Sequence, residues 1–307
     1  MTGAGPYDPL DNEMGSKVDT FEDPYRSIWQ FLREVQFEQS FVNVDGVRTR
    51  IVRAGSPDLP GLVLLHGTGG HWETFAPNLG ALSEHFHCLG IDMVGNGFSD
   101  KPDYDYEISV YVRHVLGVMD AVGMAHAGFV GMSLGAWVAA RIAVDHPDRM
   151  DRLVLMSPAG LVATASNMAR IRAERTRAVE DPSWASIKAV FDHLIADERN
   201  RIPDVIALRQ AIYRLPQTRE TIDHLLVLQD PQARDRNLIE EAEWQTIQAP
   251  TLVVASGKDH GEYQSTARRV AALIPNSDVV EMPDVRHWPH FEDPDFFNDA
   301  ALKFLRA

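Results

Sequence analysis

The sequence predicts an α/β fold: a mostly parallel, twisted sheet covered by helices on both faces, with a block of helices inserted late in the chain. Three observations carry this. Short, almost wholly apolar runs recur at "GLVLLHG" (61–67), "HCLGID" (87–92), "AGFVGM" (127–132), "RLVLMS" (152–157), "TLVVASG" (251–257) and "DVVEMP" (278–283). Strands that are apolar on both faces belong to a parallel sheet buried under helices. Between them lie segments of helical spacing, including "NLGALSEHF" (78–86), "VYVRHVLGVMDAVG" (110–123) and "LGAWVAARIAVDH" (134–146). Finally, the alternation stops between about 160 and 240, where "ASNMARIRAERTRAVE", "SWASIKAVFDHLIAD", "IPDVIALRQAIYRLP" and "TIDHLLVLQ" are helical and no strand-like run appears. A helical block between two sheet strands is most simply a cap over the carboxyl edge of the sheet.

Read in order, residues 1–36 form an N-terminal extension. Its first 20 residues are expected to be disordered, and "PYRSIWQFLREVQ" (24–36) has helical spacing at Ile28, Phe31, Leu32 and Val35. "SFVNVDGVRTRIVRAG" follows, two alternating runs around Asp45-Gly46 that predict a hairpin at an antiparallel edge. The core is therefore expected over 37–159 and 241–307, with the cap over 160–240.

Composition narrows the function classes. The chain is 45% apolar and 24% charged, the ordinary globular range, and its formal charge is −15. Nucleic acid and anionic lipid both need basic patches, so neither is an expected partner. Residues 160–240 hold twelve Arg/Lys and twelve Asp/Glu, so the excess acid lies outside the cap and an anionic ligand is best received within it. The single cysteine, Cys88, sits in the apolar run "FHCLGID" and reads as a buried strand residue. With no apolar leader and no run of the length a bilayer requires, a cytoplasmic location is expected.

The chemistry concentrates at Gly131-Met132-Ser133-Leu134-Gly135, a G-x-S-x-G pattern between an apolar strand and an amphipathic helix. Small flanking residues let strand and helix pass closely, and the sharp turn presents the serine at a helix amino end, where dipole and free amides favour developing negative charge. A serine hydroxyl needs a base oriented by an acid. Asp259 follows the strand "TLVVASG" directly, and the loop "DVRHWPHFEDP" offers His287, with His290 as a second choice. The expected triad is Ser133, Asp259 and His287. An oxyanion hole needs two backbone N–H groups. Leu134 is expected to supply one, and the loop "LLHGTGGHW" the other, from Thr68 first and Gly69 second.

Other readings of these residues are weaker. G-T-G-G-H (67–71) lacks both the G-x-G-x-x-G pattern and the Walker lysine, so no phosphate cofactor is expected. His287 and His290 are separated by a proline, and His66 and His71 lie off any clear helix, so no metal is expected. The arginines of 170–177 read as a solvated helix face.

From about residue 37 onward the chain resembles the α/β-hydrolase superfamily, in "LLHGTGG", "IDMVGNGFSDKP", "VGMSLGA", "ASGKDH" and "RHWPHFEDPDFF". Within it, "HFHCLGIDMVGNGFSDKP", "DRLVLMSPAGL" and Trp288 directly after His287 make it similar to the meta-cleavage-product hydrolases, which cut carbon–carbon bonds in 2-hydroxy-6-oxo-dienoates from aromatic catabolism. The resemblance implies the α/β-hydrolase fold and a small-molecule substrate, carboxylate-bearing or acyl, with no cofactor. Arg209 would grip its 2-oxo-acid end, Trp288 and Met132 would line the pocket, and the protein would form a homodimer. It also implies a two-stage reaction, in which ketonisation with His287 moving a proton precedes attack of Ser133 on the ketone. Two positions depart from the pattern: Met132 stands where the family usually has asparagine, and the loop after Gly70 is short and lacks another. The alternatives are an esterase or lactonase on small acyl substrates and a non-catalytic ligand-binding relative.

Overall fold

The computed structural model describes residues 26–162 and 164–307. The expectation of disorder over 1–20 and the first residues of the 24–36 helix lie outside them. Eight strands form one sheet: β1 (Phe37–Val44), β2 (Val47–Ala54), β3 (Gly61–Leu65), β4 (His87–Ile91), β5 (Ala127–Met132), β6 (Met150–Met156), β7 (Thr251–Ser256) and β8 (Ser277–Met282). Their order across the sheet is β1-β2-β4-β3-β5-β6-β7-β8. The β1–β2 and β2–β4 pairs are antiparallel and the rest are parallel, so the six apolar runs are the six parallel strands. Asp45 and Gly46 both adopt positive φ (50° and 86°), the backbone a two-residue hairpin turn requires, and Val44 pairs with Val47 across it.

Side chains alternate across the sheet into two cores. Val63, Leu65, Leu89, Phe129, Leu153 and Leu155 face one way, under the helices Ile108–Ala121, Leu134–Asp145 and Gly261–Leu273. Leu62, Leu64, Cys88, Val130 and Val154 face the other, under Ala76–Ser83 and Pro294–Leu305. The Cys88 thiol is buried, and burial pushes its pKa up to about 12, so it packs as a small apolar group.

Among the described residues the N-terminal helix is shorter than its spacing suggests. It runs only over Trp29–Leu32, with no side-chain cap, while Ile28 and Leu32 are buried and Trp29 is exposed. One turn with two apolar anchors is held by packing rather than by its own hydrogen bonds.

After β6 the chain leaves the sheet and returns as β7, the neighbouring strand, with Leu153 opposite Thr251. The helices between include Ala165–Glu180, Trp184–Leu194 and Pro203–Tyr213, the first two capped by the side chains of Thr164 and Ser183. Their apolar residues Ile187, Phe191, Ile206 and Tyr213 join the second of these cores, with Leu62, Leu64 and Val130.

A buried ion network fixes the loops at that edge. The Arg50 guanidinium donates to both Glu73 oxygens at 2.8 Å and to Asp92 at 2.6 Å, and all three side chains are almost fully buried. Asp92 also accepts from the Trp72 and Phe98 N–H groups, tying the loop after β3 to the loop after β4. Burial alone would raise the Glu73 carboxyl, but its bonds to His71 and Arg50 hold it down to about 2. Arg50→Met should strand two buried carboxylates and lower unfolding stability by about 3–5 kcal/mol. Urea denaturation followed by circular dichroism measures this, and a change below about 1 kcal/mol would mean the carboxylates relax to water.

Candidate active site

Ser133 sits between β5 and the helix Leu134–Asp145 with φ 54° and ψ −109°, a conformation L residues rarely adopt. The crowding around it explains the motif. A Cβ on Gly131 would stand 2.5 Å from the Gly135 carbonyl oxygen, and one on Gly135 would stand 2.2 Å from the Leu65 carbonyl oxygen. Only glycine lets β5, β3 and the helix meet this closely, and the Ser133 N–H is anchored to the Met156 carbonyl at 3.0 Å.

The acid and histidine arrive from β7 and β8. His287 Nδ1 lies 2.9 Å from Asp259 Oδ2. An ionised carboxylate only accepts, so Nδ1 carries the proton and Nε2 is left as the basic nitrogen. Asp259 also accepts from the Ser157 hydroxyl at 2.7 Å and from the His260 N–H at 2.8 Å. Burial pushes the Asp259 carboxyl up, but the facing His287 ring and these three donors outweigh it and hold the pKa below the ordinary carboxylate value. The His287 N–H bonds the Leu194 carbonyl at 3.0 Å, so the histidine loop is docked on the end of the helix Trp184–Leu194.

Ser133 and His287 line one narrow cavity of about 50 Å³, together with Thr68, Met132, Arg175, Arg209 and Trp288. No hydrogen bond joins the two side chains in this structure; such bonds often tighten only when substrate is present. The expected Ser133, Asp259, His287, Thr68, Met132, Arg209 and Trp288 are thus brought to one place. His290 is not among the cavity residues: its ring packs on Phe75 and Phe297, and burial pushes its pKa down to about 3. Gly69 adopts φ 67°, but its N–H is already donated to the Asn96 side chain at 2.8 Å, which removes it from the oxyanion role. The N–H groups of Thr68 and Leu134 are given to no acceptor among the described residues.

Two features escape the sequence reading. Ser157, with φ 42°, steadies the carboxylate of Asp259. The arginines of 170–177 are not all a solvated face. Arg172 and Arg177 are at the surface, but Arg175 is buried in the cavity wall. It lies on the buried stripe Met168, Arg175, Ala178, Val179 of its helix, and a charged residue interrupting an apolar stripe is the signal that marks it. Among the described residues, no group of three or more His, Cys, Asp or Glu is arranged to hold a metal ion. No helix among them is long and apolar enough to cross a membrane.

The family model of the α/β hydrolase fold matches residues 60–294. The chain is a hydrolase that belongs to the α/β hydrolase fold family. It is 28% identical over 270 residues to the 2-hydroxymuconate semialdehyde hydrolase of Pseudomonas sp. (strain CF600), covering 85% of this chain and 91% of that one. The structure of 2-hydroxy-6-oxo-6-phenylhexa-2,4-dienoate hydrolase from Rhodococcus sp. strain RHA1 matches with a TM-score of 0.79 at 23% identity, over 89% of this chain and all of that one. That likeness speaks to the fold. The enol-lactonase from Burkholderia xenovorans LB400 matches with a TM-score of 0.74 at 26% identity, over 87% of this chain and 100% of that one.

Because both glycines of the turn are in contact with backbone, Gly135→Ala should destabilise the protein by about 1–3 kcal/mol through overpacking. Thermal unfolding of the variant tests this, and a melting temperature equal to that of the parent would mean the turn has room to spare.

Proposed function

We propose that this protein is a serine hydrolase that cleaves a carbon–carbon bond in a 2-hydroxy-6-oxo-dienoate, with residues 160–240 acting as the cap that recognises the substrate. The observation that carries the reading is Arg209, fully buried with no hydrogen-bond partner on Nε or Nη1, on the wall of the cavity that also holds Ser133 and His287. A buried guanidinium without a protein carboxylate is a receptor for a substrate carboxylate, and its fork suits that group.

In this reading the dienol is ketonised first, its hydroxyl proton being lost and a proton added to the carbon beside the future leaving bond, with His287 moving the proton. His287 Nε2 then takes the Ser133 proton as the Ser133 oxygen bonds to the ketone carbon. Asp259 stabilises the imidazolium, and the N–H groups of Leu134 and Thr68 receive the oxyanion. Collapse breaks the carbon–carbon bond, the electron pair leaves into a conjugated dienolate, and the His287 imidazolium returns its proton to that leaving group and is again neutral. Water, deprotonated by His287, releases the acyl group from Ser133. A full substrate exceeds the narrow cavity, so its admission requires the cap helices to shift.

An ester or lactone is the second reading. Met132, buried beside Ser133, favours it, because a thioether offers the dienol portion no strong hydrogen bond. The same residues would then perform ordinary acyl transfer.

Loss of the yellow dienolate absorbance of a ring-fission product and release of nitrophenol from a short acyl ester separate the two. Carbon–carbon cleavage should dominate; strong ester turnover without dienolate loss sinks it. Ser133→Ala should lower kcat about 10³–10⁶-fold on either substrate, and retained activity would point to another nucleophile. Arg209→Met should chiefly raise KM for carboxylate-bearing substrates, by the loss of about 1.5–3 kcal/mol. An unchanged KM would remove Arg209 from substrate binding.

A further inference from the structure

Arg209 does not stand alone. Arg175, from the helix Ala165–Glu180, lines the same cavity and is 7% exposed, and its Nε and Nη1, like those of Arg209, have no hydrogen-bond partner. Tyr213, fully buried, has its ring centre 5.6 Å from the Arg209 guanidinium, and the charges of both arginines act on its hydroxyl. Its hydroxyl abuts Gly69, 2.7 Å from where a Cβ there would stand. The cavity's lining carboxylate, Glu174, is already held by Arg170 at 3.0 and 3.1 Å. The two guanidiniums therefore share a desolvated wall with no free carboxylate to neutralise them, the Tyr213 hydroxyl being the polar group they both act on.

Two like charges buried side by side repel and have lost their hydration, a cost of several kcal/mol per ion. The electrostatics bear the mark of that pairing. Burial pushes the Arg209 pKa down, to about 10, with the Arg175 charge adding to the fall. Burial would raise the Tyr213 phenol, but the Arg175 and Arg209 charges bring it below its ordinary value. The wall thus favours negative charge. A single carboxylate leaves one guanidinium uncompensated, whereas two adjacent anionic groups satisfy both.

We propose that Arg175 completes, with Arg209, a two-guanidinium clamp for a vicinal dianion, Arg175 taking the ionised oxygen next to the carboxylate that Arg209 holds. On binding, the enol proton passes to solvent. This deepens the hydrolase reading and rests on it for the identity of the cavity as the substrate site. The cap would then supply the polar contacts that Met132 and the short loop after Gly70 do not. Arg175 becomes a specificity-determining residue for the anionic end.

The test uses oxalate as a two-carbon dianion and acetate as its one-charge counterpart, titrated calorimetrically into the whole protein at near-neutral pH. Oxalate should bind the parent at least about tenfold more tightly than acetate, the effect of one added charge-assisted hydrogen bond. Arg175→Met should abolish that preference while leaving acetate affinity nearly unchanged, and Arg209→Met should weaken both anions. Arg175→Lys, which keeps charge but loses the fork, should retain part of the preference and guards against a fold defect in the methionine variant. No oxalate preference in the parent, or a preference untouched by either Arg175 substitution, overturns the clamp. Because heat of binding is read rather than turnover, a protein that prefers oxalate but leaves the dienolate intact would overturn the proposed reaction and leave the clamp standing.

Discussion

The close approach of β3, β5 and the helix after Ser133 governs the site. Three backbones meet within the space a single methyl group would fill, and the serine is forced into positive φ as the connection between them. Strain of this kind persists only where surrounding structure over-determines it. Here the parallel ladder on both sides of β5 and the bond from the Ser133 N–H to Met156 do so. Everything else at the carboxyl edge is arranged relative to that fixed point. Asp259 and His287 come from strands two and three places along the sheet, and the loop carrying Thr68 comes from β3, its immediate neighbour. The strand order reverses at β3, whose neighbours β4 and β5 lie on opposite sides, and such switch points open a crevice above a parallel sheet.

Around this point, buried charge is used in two different ways. Under the loops, Arg50 is matched by Glu73 and Asp92, so the network is neutralised within the protein and holds the Thr68 loop rigidly. Above the serine, Arg175 and Arg209 are left unmatched. Residues of the same type, all buried, thus divide into a strut that carboxylates neutralise and, on the proposed reading, a receptor that none faces.

The strands and the turn were legible because their signals are local. Apolar runs of five to seven residues, Asp45-Gly46 and the spaced glycines around Ser133 each act through neighbours in the chain, and each appears where the pattern put it. Ser133, Asp259 and His287 follow three strands whose carboxyl ends share one edge of the parallel sheet, which is why residues so far apart in the chain come together. What escaped depends on distant partners. Nothing near Gly69 in the sequence announces that the Asn96 side chain will take its N–H. His287 stands in the loop after β8, whereas His290, three residues on, lies in the short helix Pro289–Glu292 with its ring in the core. Arg175 was read as solvated because three neighbouring arginines mask the helical stripe on which it alone is buried.

Net charge gives a further reason for this division. The chain carries −15 overall, and a field of that sign opposes an anionic substrate. Surface charges are screened over about 8–10 Å at physiological ionic strength, so most of that opposition is lost beyond the first shell of groups around the cavity mouth. Inside the cavity screening fails and the effective dielectric falls, so an unpaired guanidinium at contact distance attracts far more strongly than the same group in water. Two such groups within residues 160–240, which hold equal numbers of basic and acidic side chains, make the attraction short-ranged. On the proposed reading an anion would gain little on approach and most of its binding energy on entry, and selectivity would reside in the few ångströms between Arg175, Arg209 and the serine turn.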